Sequence, residues 1–365
     1  MKLVLQMSLF VLFTVFVSNA QANVSCSVDP STPTINATIA LQGGNITAGE
    51  DLPNGTVLFR QYFKPSRGPI AKCTSTVIPW NLFRSIFYTA NPKPLSSWNS
   101  GPWANKVYET GVSGIGVVVW RSSDIAPFNT QSGTHSVSSL NVTTRPDFDI
   151  SFVKTGPISP GTIRGQDLPT VAYEVLGSSG TPARVVNINF SGAINVVAKT
   201  CTTPNPVIQM GAWNKDQQFK GVGSTSDWVN ATINLTNCPR FHGIMDAGQS
   251  NYGSDSPTDP GGVGTPVANN LGLVLQPNTS IIDNTKGIIA LRDQTGAASG
   301  VGIQVAYNNH ATPQFAIFNS EKKFAMTNSS NTTVSLPLFA RYYQTQTVVE
   351  PGVANATMTY TINYY

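Results

Sequence analysis

Two tryptophans lie five residues apart in a stretch built from loop-forming residues, Asn91-Pro92-Lys93-Pro94-Leu95-Ser96-Ser97-Trp98-Asn99-Ser100-Gly101-Pro102-Trp103-Ala104-Asn105. An indole face packs against the C–H groups of a sugar ring while neighbouring amides hydrogen-bond its hydroxyls. Trp98, Asn99, Trp103 and Asn105 are therefore candidate receptor-contact residues, with a carbohydrate as the ligand their chemistry suits. Asp124 and Asn129, with Gln131, follow Trp120 in a polar stretch and would add hydroxyl partners if that loop reaches the same end of the molecule. The competing reading is that these tryptophans close the end of a hydrophobic core, since large aromatics are mostly buried. Trp120 ends an apolar run and is expected in the core; Trp80 suits either role.

No residue is assigned to catalysis. The histidines are His135, His242 and His310, and no Gly-x-Ser-x-Gly, His-Glu-x-x-His or phosphate-loop pattern accompanies them. A secreted carbohydrate-active hydrolase needs only a carboxylate pair and stays as a minor alternative. Asp147 and Asp149 share one face of a strand and read as outward-facing charges. No metal or cofactor is expected: the cysteines lack zinc spacing, and Asp246, Asp255 and Asp259 lack an ordered calcium-ligand spacing.

The elements that must position these residues are strands. Charged residues are 11% of the 365 against about 25% in an average soluble domain, and apolar residues are 40%, enough for cores. Glycine (31) and proline (25) are abundant. A net charge of +4 with no Lys or Arg block excludes a nucleic-acid footprint. Short alternating runs such as Thr56 to Phe59, Gly116 to Trp120, Asp149 to Val153, Val185 to Phe190 and Ile303 to Val305 are separated by turn residues, the pattern of antiparallel sandwiches. Ile86 to Ala90 could be helical, but no 3.6-residue period is sustained. The expectation is an all-β chain of two sandwich domains.

Lys2, the apolar run Leu3 to Val17 and the small residues before Ala22 read as a signal peptide, residues 1–22, so the mature chain is exported. In that setting four cysteines suggest two disulfides. Three connectivities are formally possible; Cys26 with Cys73 and Cys201 with Cys238 gives each half its own staple. Gly177 to Pro182 is the expected hinge, between an N-terminal domain at 23–178 and a C-terminal domain at 184–365. Asp246 to Asn270 reads as a long surface loop of the second domain.

The last residues place Met358, Tyr360, Ile362 and Tyr364 on one face, alternating with Thr357, Thr359, Thr361 and Asn363. A strand this regular at a chain end must pair with something, either within its own sandwich or with another chain. From Val185 onward, ordered motifs carry a resemblance: Asn189-Phe190-Ser191-Gly192, Ala198-Lys199-Thr200-Cys201, Phe219 to Ser224, Ile233 to Pro239, Ala298 to Val305, and Leu336 to Tyr343 followed by the penultimate Tyr364. Together, with the cysteines in place, they resemble the fimbrial subunits of the chaperone-usher class. The N-terminal half, through Gly111 to Val117 and Phe152 to Ile158, looks more loosely like the adhesin domain of two-domain fimbrial tip adhesins.

The resemblance implies an immunoglobulin-like sandwich missing its last strand. A periplasmic chaperone would lend a strand beside Met358, Tyr360, Ile362 and Tyr364 and anchor the carboxylate of Tyr365. An outer-membrane usher would then exchange that strand for one donated by the next fimbrial subunit. Shaft subunits begin with such a donor segment; here only Asn23 to Ser25 separate Ala22 from Cys26, and a whole domain precedes the subunit domain. The chain is therefore expected at the fimbrial tip on the cell surface, binding a host receptor. The alternative is a structural minor subunit, an adaptor or cap with no receptor of its own.

Overall fold

A computed structural model describes residues 24–365; the expected signal peptide lies outside the described residues. Among the described residues the chain is almost entirely strand and turn, with one short α-helix, Lys215–Gln218, capped by the Asn214 side chain. Ile86 to Ala90 belongs to the eleven-residue strand Trp80–Ala90 and is not helical, because the antiparallel neighbours Phe128–His135 and Thr170–Gly177 pair with it on both edges.

The first core lies between two sheets. One is ordered Phe128–His135, Trp80–Ala90, Thr170–Gly177, Ala183–Ser191 and Ile35–Ala40. The other has Val57–Lys64, Phe148–Lys154 and Ile115–Arg121 at its centre. Their inward residues alternate as the pleat requires: Phe59, Phe63, Phe148, Ile150 and Phe152 meet Leu82, Ile86, Tyr173 and Ile188, all nearly inaccessible to water. Phe59 and Phe152 stack with centroids 4.7 Å apart. The second core is built from residues 201 to 364, between the sheet centred on Val301–Ala306 and the three strands Glu321–Ala325, Asn270–Pro277 and Met358–Tyr364. The disulfides are Cys26–Cys73 and Cys201–Cys238, one beside each core. The protein is thus all-β, with two β-sandwich cores.

Two expectations about organisation are corrected. The supposed hinge, Gly177 to Pro182, is a hairpin turn: Thr170–Gly177 and Ala183–Ser191 pair antiparallel across it. Val185, Val186, Ile188, Phe190, Ile194 and Val196 are all buried in the first core, so this segment belongs to that core as far as Val196, beyond the expected boundaries at 178 and 184. A fragment ending near residue 180 would lose an interior strand and cannot stand for the first unit. The stretch Asp246 to Asn270 is likewise not a loop of the second unit alone. Tyr252–Ser254 pairs in parallel with Val57–Lys64, and Ile244 and Met245 sit in the first core. Asp255 and Asp259, weighed for calcium, instead staple this return to the first unit: Asp255 accepts from Ser66, and Asp259 accepts from Lys64 and Tyr252.

Because Phe152 is wholly buried and stacked, Phe152→Ala should cost about 3–5 kcal/mol. Denaturant unfolding followed by tryptophan fluorescence measures it, with the 82% exposed Val207→Ala as a control expected to shift stability by less than about 0.5 kcal/mol.

Candidate functional site

Among the described residues, the C-terminal strand Met358–Tyr364 is paired with another strand on one edge only, with Asn270–Pro277. Asn270 and Tyr365 exchange both backbone hydrogen bonds, which fixes the alternation: residues 365, 363, 361 and 359 bond inward to that neighbour. The N–H and C=O groups of Tyr364, Ile362, Tyr360 and Met358 therefore point to the other side. Along that side runs an open groove of about 680 Å³, with Thr200, Cys201, Thr203 and Asn205 on its far wall. Among the described residues, no backbone partner meets Met358, Tyr360 or Ile362 there. Their side chains pack against the second core but stay half-exposed, while Tyr364 is buried. The face that alternation predicts is formed, and it is left uncovered along one border.

Tyr364 is held in detail. The backbone N–H of Cys201 donates to its hydroxyl (3.0 Å), and burial pushes its phenol pKa up. The Tyr360 hydroxyl donates to the Pro204 carbonyl. The Tyr365 main-chain oxygen accepts from Asn270 N–H and from Asn269 Nδ2 (3.1 Å), and its hydroxyl donates to Glu321 (2.9 Å). At this end the first unit arrives. Asp51 N–H donates to the Tyr364 carbonyl (3.1 Å), and Tyr364 N–H donates to Asp51 Oδ2 (2.7 Å). The sequence offered no sign that Glu50 and Asp51 line this groove. They are exposed acids in a turn, brought there only by tertiary packing.

In the first unit, Trp98, Asn99, Trp103 and Asn105 share one loop, closed by Asn105 N–H donating to the Trp98 carbonyl (2.9 Å) and by a bridge between Leu95 and Tyr108. Asn99 and Asn105 are exposed; Trp98 and Trp103 are half-buried. Trp98 lies against the turn at Gly55 with its Nε1 buried and unpartnered. Trp103 meets Trp120 with centroids 5.9 Å apart, and Lys106 Nζ donates to the Pro127 carbonyl, so this loop touches the hairpin that carries Asp124 and Asn129. Asp124 and Asn129 themselves turn to local partners: Asp124 accepts from Thr130, and exposed Asn129 pairs with Ser85 across the sheet. Trp80 is a core residue, its Nε1 donating to the Val137 carbonyl.

Trp120 and Asp149 depart from expectation. Trp120 lies on the outer side of its sheet, donating Nε1 to Ser151 (3.0 Å), with the Arg60 guanidinium 4.6 Å over its ring. Asp149 is buried there, between Tyr62 and Trp120 on the neighbouring strands, and paired with Arg60 at 2.8 Å; Asp147 pairs with Arg121 at 3.1 Å. Burial raises the Asp149 pKa and the Arg60 partner partly restores it. A hint was legible in Arg60, Tyr62, Asp149 and Ser151, polar residues at alternate positions of otherwise apolar strands.

Removing Arg60 leaves a buried carboxylate unpaired, which should cost about 3 kcal/mol. A carboxyl whose folded pKa lies above its unfolded value holds its proton more tightly when folded, so stability falls as pH rises through that window. The Arg60→Ala penalty should therefore be large at pH 7 and shrink toward pH 4.5 in denaturant titrations. Adding Asp149→Asn should remove that pH dependence; a penalty equal at both pH values would contradict the assignment.

Against known proteins, residues 188–365 match the family model described as fimbrial protein. A fimbria adhesin protein of Klebsiella pneumoniae is 26% identical over 265 residues, 72% of this chain and 73% of that one. Solved structures with similarity include the CupB6 tip adhesin of Pseudomonas aeruginosa, at 15% identity and a TM-score of 0.35 over 93% of this chain and 94% of that one. Another is the receptor-binding domain of the adhesin MrkD1P of Klebsiella pneumoniae, at 23% identity and a TM-score of 0.33 over 49% of this chain and 99% of that one. Residues 188–365 are thus similar to the fimbrial protein family, and the chain over 72% of its length is similar to a fimbria adhesin.

Proposed function

We propose that the chain is the tip adhesin of a pilus: it accepts a strand from the next subunit, donates none, and presents its first unit to a host receptor. The unpaired edge of Met358–Tyr364 carries this reading. Three residues with open backbone groups beside half-exposed apolar side chains form a template for strand addition. The tip position is supported by the fate of the segment before Cys201. Shaft subunits carry a donor strand at this place, as the family resemblance implies. Here Val186, Ile188 and Phe190, and then Ile194 and Val196, alternate in that manner but are locked inside the first core, and Ala183–Ser191 is paired on both edges. Withdrawing them would expose at least five large apolar side chains, each worth about 1.5–3 kcal/mol buried. The segment is not free to leave.

The partners on this reading are a periplasmic chaperone that covers the groove first, the outer-membrane usher, and the subunit that follows. Export through the periplasm ends at the pilus tip on the cell surface. The mature chain expressed alone should aggregate or be degraded, and co-expressed chaperone or a fused donor peptide should rescue soluble protein; a stable monomer with neither would rule out the incomplete sandwich.

The receptor is assigned to the face carrying Asn99, Trp103 and Asn105, as a glycan. Support comes from two exposed amides beside a half-buried indole, in a loop braced on Trp120 and Pro127. The complemented full-length chain should give a saturable hit on a broad glycan array, weakened more than tenfold by Trp103→Ala and by the exposed Asn99→Ala. No hit from folded protein would favour the adaptor reading or a protein receptor.

A further inference from the structure

The groove is not built by the second unit alone. Of the four backbone positions that face it, Tyr364 already has both groups satisfied, and the partner is Asp51 of the first unit, acting at once through its N–H and its carboxylate. Asp51 thus occupies the rung that the end of an added strand would use. It is not a loosely placed side chain. The preceding residue pair is fixed from within the first unit, where buried Lys154 directs its ammonium to the carbonyls of Gly49 and Glu50. Gly49 is pressed so closely on the C-terminal strand that a Cβ there would stand 2.1 Å from the Tyr364 carbonyl oxygen. Ala48 N–H donates to the Val197 carbonyl (2.9 Å), and Thr47 bonds Gly243 and the Arg240 carbonyl, closing the junction around it.

We propose that the turn 49–51 is a register stop, so that the strand completing the second unit pairs with only three rungs, Met358, Tyr360 and Ile362, and ends before Tyr364. Its occupant is a donated strand of about seven residues carrying three apolar side chains at alternate positions. This rests on the strand-acceptor reading above and adds that the first unit sets the length and register of what the groove accepts.

The test uses the full mature chain refolded with synthetic peptides of alternating Thr and Val, one of seven residues with three Val and one of nine with four. Residue-resolved hydrogen exchange and affinity are both read. Either peptide should slow exchange at Met358, Tyr360 and Ile362. The nine-residue peptide should bind within about twofold of the shorter one and leave Tyr364 exchange unchanged. Asp51→Ala with the seven-residue peptide should speed Tyr364 exchange at least tenfold, whereas Glu50→Ala should not. If the longer peptide binds more than tenfold tighter and takes over Tyr364, or if Asp51→Ala leaves Tyr364 protected, the register stop is wrong while strand addition stands. If neither peptide protects Met358, Tyr360 and Ile362, the strand-acceptor reading itself fails, and the stop with it.

Discussion

A backbone edge without a partner organises this protein. Buried or half-buried N–H and C=O groups cost free energy unless something bonds them, and the apolar side chains beside them add the cost of contact with water. The C-terminal strand carries both liabilities along Met358, Tyr360 and Ile362. Everything around it serves to hold that edge open in one shape: the Cys201–Cys238 disulfide and the Cys201–Tyr364 hydrogen bond on one side, Asn270–Pro277 on the other, and the first unit's turn at the end. A sandwich closed on itself would need none of this and would have nothing to offer another chain.

The first unit shows the opposite solution to the same problem. Its segment from Ala183 to Val197 has the alternation of a strand that could be passed to a neighbour, yet it is an interior element, paired in antiparallel with Thr170–Gly177 and in parallel with Ile35–Ala40 and Asn45–Thr47. Burial, not sequence character, decides whether such a strand is free. Together these two features are what the proposed role, a subunit that accepts a strand without donating this one, rests on. The return of residues 244–254 to the first unit, and the grip of Asp51 on Tyr364, tie the two cores together more closely than a simple linker would.

Much of this was written in local pattern. The all-β character follows from short alternating runs and turn residues, the disulfide pairing from the division of cysteines between halves, and the uncovered face from Met358, Tyr360, Ile362 and Tyr364 at period two. What escaped was long-range. A Gly-Ser-Ser-Gly-Thr-Pro stretch reads equally as hinge or hairpin, and only the register of Val175 opposite Ala183 decides it. The Asp- and Gly-rich stretch after Met245 has no periodicity to announce that it adds a strand to the other unit. Asp149 looked solvent-facing because alternation gives a face without saying what covers it; here Tyr62 and Trp120 flank it and Arg60 supplies the counter-charge. Asp51 had no signal at all, since its partner is 313 residues away.

The measurement that bears most directly on the proposed terminal, strand-accepting role is the position of this chain in assembled fibres. Antibody raised against the first unit, imaged with gold label on intact pili, should mark one site per fibre, at the free end, and deletion of residues 358–365 should abolish that label without removing the shaft. Label repeating along the shaft would contradict the account, because a chain whose donor-like strand, among the described residues, is locked in its own core would not be followed by another copy of itself.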